Sequence, residues 1–156
     1  IPSGAIVTGL GNFRGAKRRL EFKGKLGGAD VYDDYAHHPT EIAATLDAAR
    51  QMGYDRVICV YQPHTYSRTK GLFDEFAAAL GKADLPILCD IYAARETDTL
   101  GVSSELLAKA TRGAVYMESF DRIADYLREH ARAGDLILTM GAGDIAQLAG
   151  LLLGGK

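Results

Sequence analysis

Arg56-Val57-Ile58-Cys59-Val60-Tyr61, followed by Gln62-Pro63-His64-Thr65-Tyr66-Ser67-Arg68, is the stretch whose reading decides the fold. The first six residues are rich in β-branched and aromatic side chains and read as a buried strand, and the polar segment after them reads as the loop at its carboxyl end. Similar short apolar runs fall at residues 30–33, 85–91, 114–117 and 135–140, with helical patterns at 40–52, 69–82, 103–111, 120–132 and 144–153. In the first of these helices Ile42, Leu46 and Ala49 recur at helical spacing behind the start signal Pro39-Thr40-Glu41. Strands that alternate with helices predict an α/β fold, a mostly parallel sheet with helices on both faces.

The first 28 residues follow a different pattern. Ile6, Leu10 and Phe13 stand at helical intervals, and residues 18–25 alternate polar and apolar up to Gly27-Gly28. This predicts a helix remnant and an antiparallel edge strand in residues 1–28, leading into a single domain over residues 29–156. A length of 156 residues suits one core, since folded units commonly run to ~100–150 residues.

Composition narrows the function classes. Hydrophobic residues make up 47% and charged residues 24%, as in an ordinary soluble protein, and no apolar run approaches the ~18 residues of a membrane span. A net charge of -2 lacks the basic footprint with which nucleic-acid binders neutralise phosphates. The opening Ile1-Pro2-Ser3-Gly4 has neither the form of a signal peptide nor an initiator Met, so a piece of a longer cytoplasmic protein is expected. Cys59 and Cys89 lie inside apolar runs and read as buried thiols in a reducing compartment.

In an open parallel sheet, ligands bind beyond the carboxyl ends of the strands. The candidate segments are therefore Asp33-Asp34-Tyr35-Ala36-His37-His38-Pro39, Gln62 to Arg68, Tyr92-Ala93-Ala94-Arg95-Glu96 and Gly141-Ala142-Gly143-Asp144. Three of the four histidines fall on this one edge, and His130 sits in a polar helix. Asp34 reads either as a turn or helix cap or as a ligand group. Arg68 near a helix amino terminus opposes the macrodipole and so asks for an anionic partner, unless it is simply solvated. Arg95-Glu96 reads as a surface ion pair or as part of the site.

The glycine loop at 141–143 is either an anion cradle or a tight strand-to-helix turn. It is not a complete dinucleotide fingerprint, which needs a further strand and an acidic residue ~20 positions on. No G-x-x-x-x-G-K-[ST] phosphate loop occurs in the sequence. A metal-dependent hydrolase using His37, His38, His64 and Asp34 is a competing reading, although none of the usual short metal spacings is present.

Taken together, Lys17-Arg18-Arg19-Leu20-Glu21, the Asp33 to Ile42 segment, Gln62 to Thr69, Tyr92 to Glu96 and Gly141-Ala142-Gly143-Asp144-Ile145 resemble the third domain of the UDP-N-acetylmuramate:L-alanine ligases, within the Mur ligase family. The Asp-Tyr-Ala-His portion is shared with folylpolyglutamate synthases. The His-His-Pro-Thr-Glu and Gln-Pro-His segments point to the alanine-adding branch or to murein tripeptide ligases.

The resemblance implies a Rossmann-like domain that closes over an amino-terminal UDP-sugar domain and a central ATP domain. It implies an ATP-dependent, amide-forming ligase that activates the carboxylate of UDP-N-acetylmuramate as an acyl phosphate and joins it to L-alanine. Mg²⁺ would be bound mainly by the central domain. By the same resemblance Arg19 and Asp34 face the nucleotide and His37 lies at the shared face. His64 and Arg68 meet the acceptor carboxylate, Tyr35 lines that pocket and Arg95 adds to the substrate side. Some relatives have Arg where this chain has Thr65, which leaves the acceptor site one cation short of theirs. Without companion domains the chain is expected to be inactive.

Overall fold

A computed structural model describes residues 17–154. Its strands are β1 (Glu21–Leu26), β2 (Ala29–Asp34), β3 (Arg56–Tyr61), β4 (Leu85–Leu88), β5 (Val115–Tyr116) and β6 (Asp135–Met140). Its helices are α1 (Pro39–Arg50), α2 (Tyr66–Gly71), α3 (Phe73–Leu80), α4 (Ser104–Ala110), α5 (Phe120–His130) and α6 (Ala146–Leu152). The strands form one sheet in the order β1-β2-β6-β3-β4-β5, with β1 antiparallel to β2 and every other pair parallel. The expected α/β sheet with an antiparallel edge strand is thus observed. The helix expected around residues 6–13 lies outside the described residues.

The central strands explain why the sequence reads as it does. All six residues of β6 are buried, as are five of the six in β3, because helices cover both faces of a parallel sheet. Alternate side chains divide between two cores. Val57, Cys59, Tyr61, Leu136, Leu138 and Met140 pack with Ile42 and Leu46 of α1, Phe76 of α3 and Leu107 of α4. On the opposite face Ile58, Val60 and Ile137 pack with Ile123 and Leu127 of α5 and Leu148 of α6. Each fully buried Leu, Ile or Phe adds roughly 1.5–3 kcal/mol from the removal of apolar area from water.

The β1–β2 hairpin closes on Gly27 and Gly28, with Leu26 paired to Ala29 and both glycines at positive φ (56° and 92°). That is the two-residue turn whose twist matches the strands, and it asks for residues without a Cβ. One expected helix, 69–82, is divided. The chain enters α2 already at Tyr66, leaves helical geometry at Leu72 (φ -125°, ψ 31°) and restarts as α3. Gly71, a weak helix former, sits at the break. The last helix starts at Ala146 rather than at 144, because Asp144 and the Ile145 amide are both bound to Gln62.

Candidate functional site

The carboxyl edge of the sheet is stitched together by bonds between its loops. The Gly141 amide donates to the Asp34 carbonyl (3.2 Å) and the Gln62 amide to the Met140 carbonyl (3.1 Å). Tyr92 donates to Pro63, and Thr65 in turn donates to Tyr92, each at 2.9 Å. The loops after β2, β3, β4 and β6 therefore meet in one place, as expected for this topology.

Asp34 is buried, and its carboxylate accepts from the amides of Leu20 and Ala36 at 2.8 Å each, with the Thr45 hydroxyl farther off at 3.4 Å. It fixes the segment before β1 against the loop after β2. The adjacent cleft is lined by Arg18, Arg19, Asp34, Tyr35, Glu41 and Thr45. Arg19 is exposed there. Arg18, which sequence reasoning passed over in favour of Arg19, turns inward. Its guanidinium donates to the Asp33 carboxylate at 2.8 Å and to the Gly141 carbonyl at 2.6 Å, and lies 4.9 Å from the centre of the Tyr35 ring.

The two neighbouring histidines separate in role. His38 is the N-cap of α1: its Nδ1 accepts from the Thr40 amide, while Glu41 accepts from the amides of His37 and His38. His37 instead belongs to a row of rings, 5.2 Å from Tyr35 and 6.5 Å from His64, which stacks on Tyr92 at 5.5 Å. Among the described residues no group of three or more His, Cys, Asp or Glu side chains is disposed to hold a metal ion. His38, named in the hydrolase reading, instead faces its own helix.

His64, bridged to Tyr92 just before the helix, and Arg68 within it are four residues apart, with an Arg68 nitrogen 3.5 Å from His64 Nδ1. Burial, then the positive charge of Arg68, then His37, push the His64 pKa below its ordinary value, against a weaker opposing pull from Glu96. A neutral imidazole beside a guanidinium is the consequence. Arg68 makes no ion pair among the described residues, so its charge is available to an anion.

The Arg95-Glu96 ion pair does not form. Arg95 is exposed, and Glu96 turns to Ser67, accepting from its amide at 3.0 Å and from its hydroxyl.

The glycine loop is a tight turn. Gln62, buried at the end of β3, donates to Asp144 (2.7 Å) and accepts from the Ile145 amide (3.1 Å). A Cβ on Gly143 would stand 2.8 Å from Tyr92 Cγ and closer still to the Gln62 amide oxygen. The N–H groups of Gly141 and Ile145 are already taken, by the Asp34 carbonyl and the Gln62 side chain. Gln62 is thus a structural keystone that sequence reasoning missed, although its position directly behind a buried strand was a signal.

A model of the Mur ligase glutamate ligase domain matches residues 18–143. The chain belongs to the Mur ligase family. It is 48% identical over 160 residues to the UDP-N-acetylmuramate–L-alanine ligase of Clostridium novyi, covering 100% of this chain and 35% of that protein. The solved structure of UDP-N-acetylmuramate-alanine ligase from Thermotoga maritima shares the fold with a TM-score of 0.77 at 22% identity, over 98% of this chain and 33% of that one. A murein peptide ligase from Psychrobacter arcticus gives 0.72 at 28% identity, over 95% and 32%. The chain spans about a third of the length of the curated relatives it matches. No described helix is long and apolar enough to cross a membrane.

Proposed function

We propose that this chain is the carboxy-terminal domain of a cytoplasmic, ATP-dependent ligase that joins L-alanine to the carboxylate of UDP-N-acetylmuramate. Such an enzyme supplies peptidoglycan precursors and so serves wall growth, cell shape and division. The observation that carries the reading is the 48% identity to an L-alanine ligase across the whole chain. The edge geometry supports it, with an Arg68 guanidinium that has no ion pair among the described residues, beside a neutral His64. In this reading residues 29–156 are the working domain, the hairpin strand leads into it, and amino-terminal and central domains supply the UDP-sugar and ATP sites.

The residues of the first cleft fit a nucleotide. Arg19 offers an exposed cation for phosphate, and Tyr35, 47% exposed, offers a ring face. A carboxylate has about four lone-pair sites, of which the two short bonds of Asp34 use two; it contributes to the ribose side while ordering the backbone beside Arg19. Mg²⁺, bound mainly by the central domain, would neutralise phosphate charge.

The residues of this domain do the positioning. The Arg68 fork takes the amino-acid carboxylate, because a guanidinium matches it in plane and charge. His64, kept neutral, contacts the acceptor without repelling its ammonium group, and its ring orientation is set by the Tyr92 stack. His37 and Tyr35 bound the pocket on the nucleotide side, and Arg95 is available at its rim. With Thr65 in place of the arginine that some relatives carry, this pocket has one cation fewer than theirs and relies chiefly on Arg68.

The test is phosphate release by the full-length protein with ATP, Mg²⁺ and UDP-N-acetylmuramate. Dependence on L-alanine is expected. Dependence on a tripeptide instead would assign the murein tripeptide ligase activity, and turnover by the isolated 156-residue chain would contradict the division of labour.

A further inference from the structure

The helix that carries Arg68 lacks the means to hold itself. α2 has six residues, far below the ~12–15 at which helices become even marginally stable alone. Its N-cap residue Thr65 makes no capping bond with its side chain. Thr65 also sits at φ 67°, ψ 144°, a region that a β-branched residue rarely enters. Something outside the helix must hold this start in place.

Glu96 does so from the loop after β4. One carboxylate oxygen accepts from the Ser67 amide at 3.0 Å and the other from the Ser67 hydroxyl. An acidic group there meets unsatisfied N–H groups and the positive end of the helix dipole. The bonds from Ser67 hold the Glu96 carboxyl below the usual carboxylate range, so it stays charged. The same loop is tied to the same place by the Thr65–Tyr92 and Tyr92–Pro63 backbone bonds and by the His64–Tyr92 stack.

We propose that Glu96 is a positioning residue: by capping α2 from a neighbouring strand-end loop, it fixes the Arg68 guanidinium beside His64 and thereby shapes the acceptor subsite. The assignment of that subsite to an amino-acid carboxylate rests on the function proposed above; the latch itself rests on the geometry. Glu96 need not touch any substrate.

Two kinds of measurement test it. In the full-length enzyme Glu96→Ala is expected to raise the KM for L-alanine about five- to tenfold, the scale of a lost helix cap, with the KM for ATP little changed. Glu96→Gln, which retains an acceptor oxygen, should recover part of that loss. In the 156-residue chain followed by NMR, both variants should lower the His64 titration midpoint, since Glu96 is the charge opposing the downward influences on that imidazole. Glu96→Ala should also speed amide exchange at Thr69 and Leu72, whose bonds to Thr65 and Arg68 close the helix.

Ser67→Ala, which removes the hydroxyl partner alone, should speed the same amides, and it decides the matter if Glu96→Ala does not fold. Parental amide exchange and an unmoved His64 midpoint would overturn the latch whatever the substrate. Equal rises in both KM values would also overturn it, by making Glu96 a general structural residue. If the parent enzyme ignores L-alanine while His64 and the α2 amides respond, the latch stands and the proposed function fails.

Discussion

The Arg18 guanidinium donates to the Gly141 carbonyl at 2.6 Å, tying the segment before the edge strand to the loop after the last strand, 123 positions away in sequence. The same group pairs with Asp33, whose side chain is only 3% exposed. Arg18→Ala would leave that carboxylate with the Thr139 hydroxyl as its remaining side-chain partner among the described residues. Because Arg18 is itself partly exposed, a loss of about 1–3 kcal/mol is expected rather than the full penalty of a buried pair. Urea unfolding measures it, and an Asp33→Asn substitution in the same chain should recover part of the loss. An unchanged midpoint for Arg18→Ala would mean that the pair is not formed in solution.

Gly143→Ala tests the turn reading of the glycine loop. The added methyl would meet Tyr92 Cβ at 2.9 Å and crowd the Gln62 side chain, which already holds Asp144 and Ile145. Overpacking of this kind costs about 1–3 kcal/mol, to be read as a fall in thermal or denaturant midpoint. Gly150→Ala is the control, since nothing lies within 4 Å of a Cβ there and it sits inside α6. Equal stabilities for the two variants would refute the close packing.

His64 gives a pH dependence with a definite sign. Its folded-state pKa lies below the unfolded value of about 6.5, mainly through burial and then through Arg68. Between those two values the unfolded chain binds more protons, so stability rises with pH. Its contribution is complete above the unfolded pKa and is lost as pH falls through the folded one. His64→Gln should therefore show a flatter stability profile than the parent as pH falls below about 6.5. A parental profile that is no steeper would show that His64 is not desolvated.

Arg68→Ala in the full-length enzyme should raise the KM for the amino acid far more than the KM for ATP. A hydrogen bond to a charged partner contributes about 1.5–3 kcal/mol, so acceptor use should weaken about 10- to 150-fold. Lysine should rescue in part, restoring charge but not the planar fork. Steady-state kinetics with each substrate varied decides between this and a solvated arginine, for which alanine dependence would remain normal.

The alternation of apolar runs with helical patterns determined the α/β sheet, because strands buried on both faces must be continuously apolar and the helices that cover them must carry a 3.6-residue stripe. That is why β3 and β6 were legible to the residue, and why Gly27-Gly28 marked the hairpin. The same reasoning placed Asp34, His37, His64 and Arg68 on one edge, since parallel strands deliver all their carboxyl ends to the same side.

Which polar group each of those residues meets was decided only by the tertiary structure. Nothing local tells Arg18 from Arg19, whereas the helix start Pro39-Thr40-Glu41 already favours His38 over His37 as the cap. Arg18 turns toward Gly141, 123 positions away, and Arg19 faces the open edge. Glu96 likewise sits beside Arg95 in sequence yet bonds to Ser67. Sequence periodicity records which face of an element is buried, but a hydrogen bond across strand ends depends on the separation and direction of two groups that only the assembled sheet brings within about 3 Å.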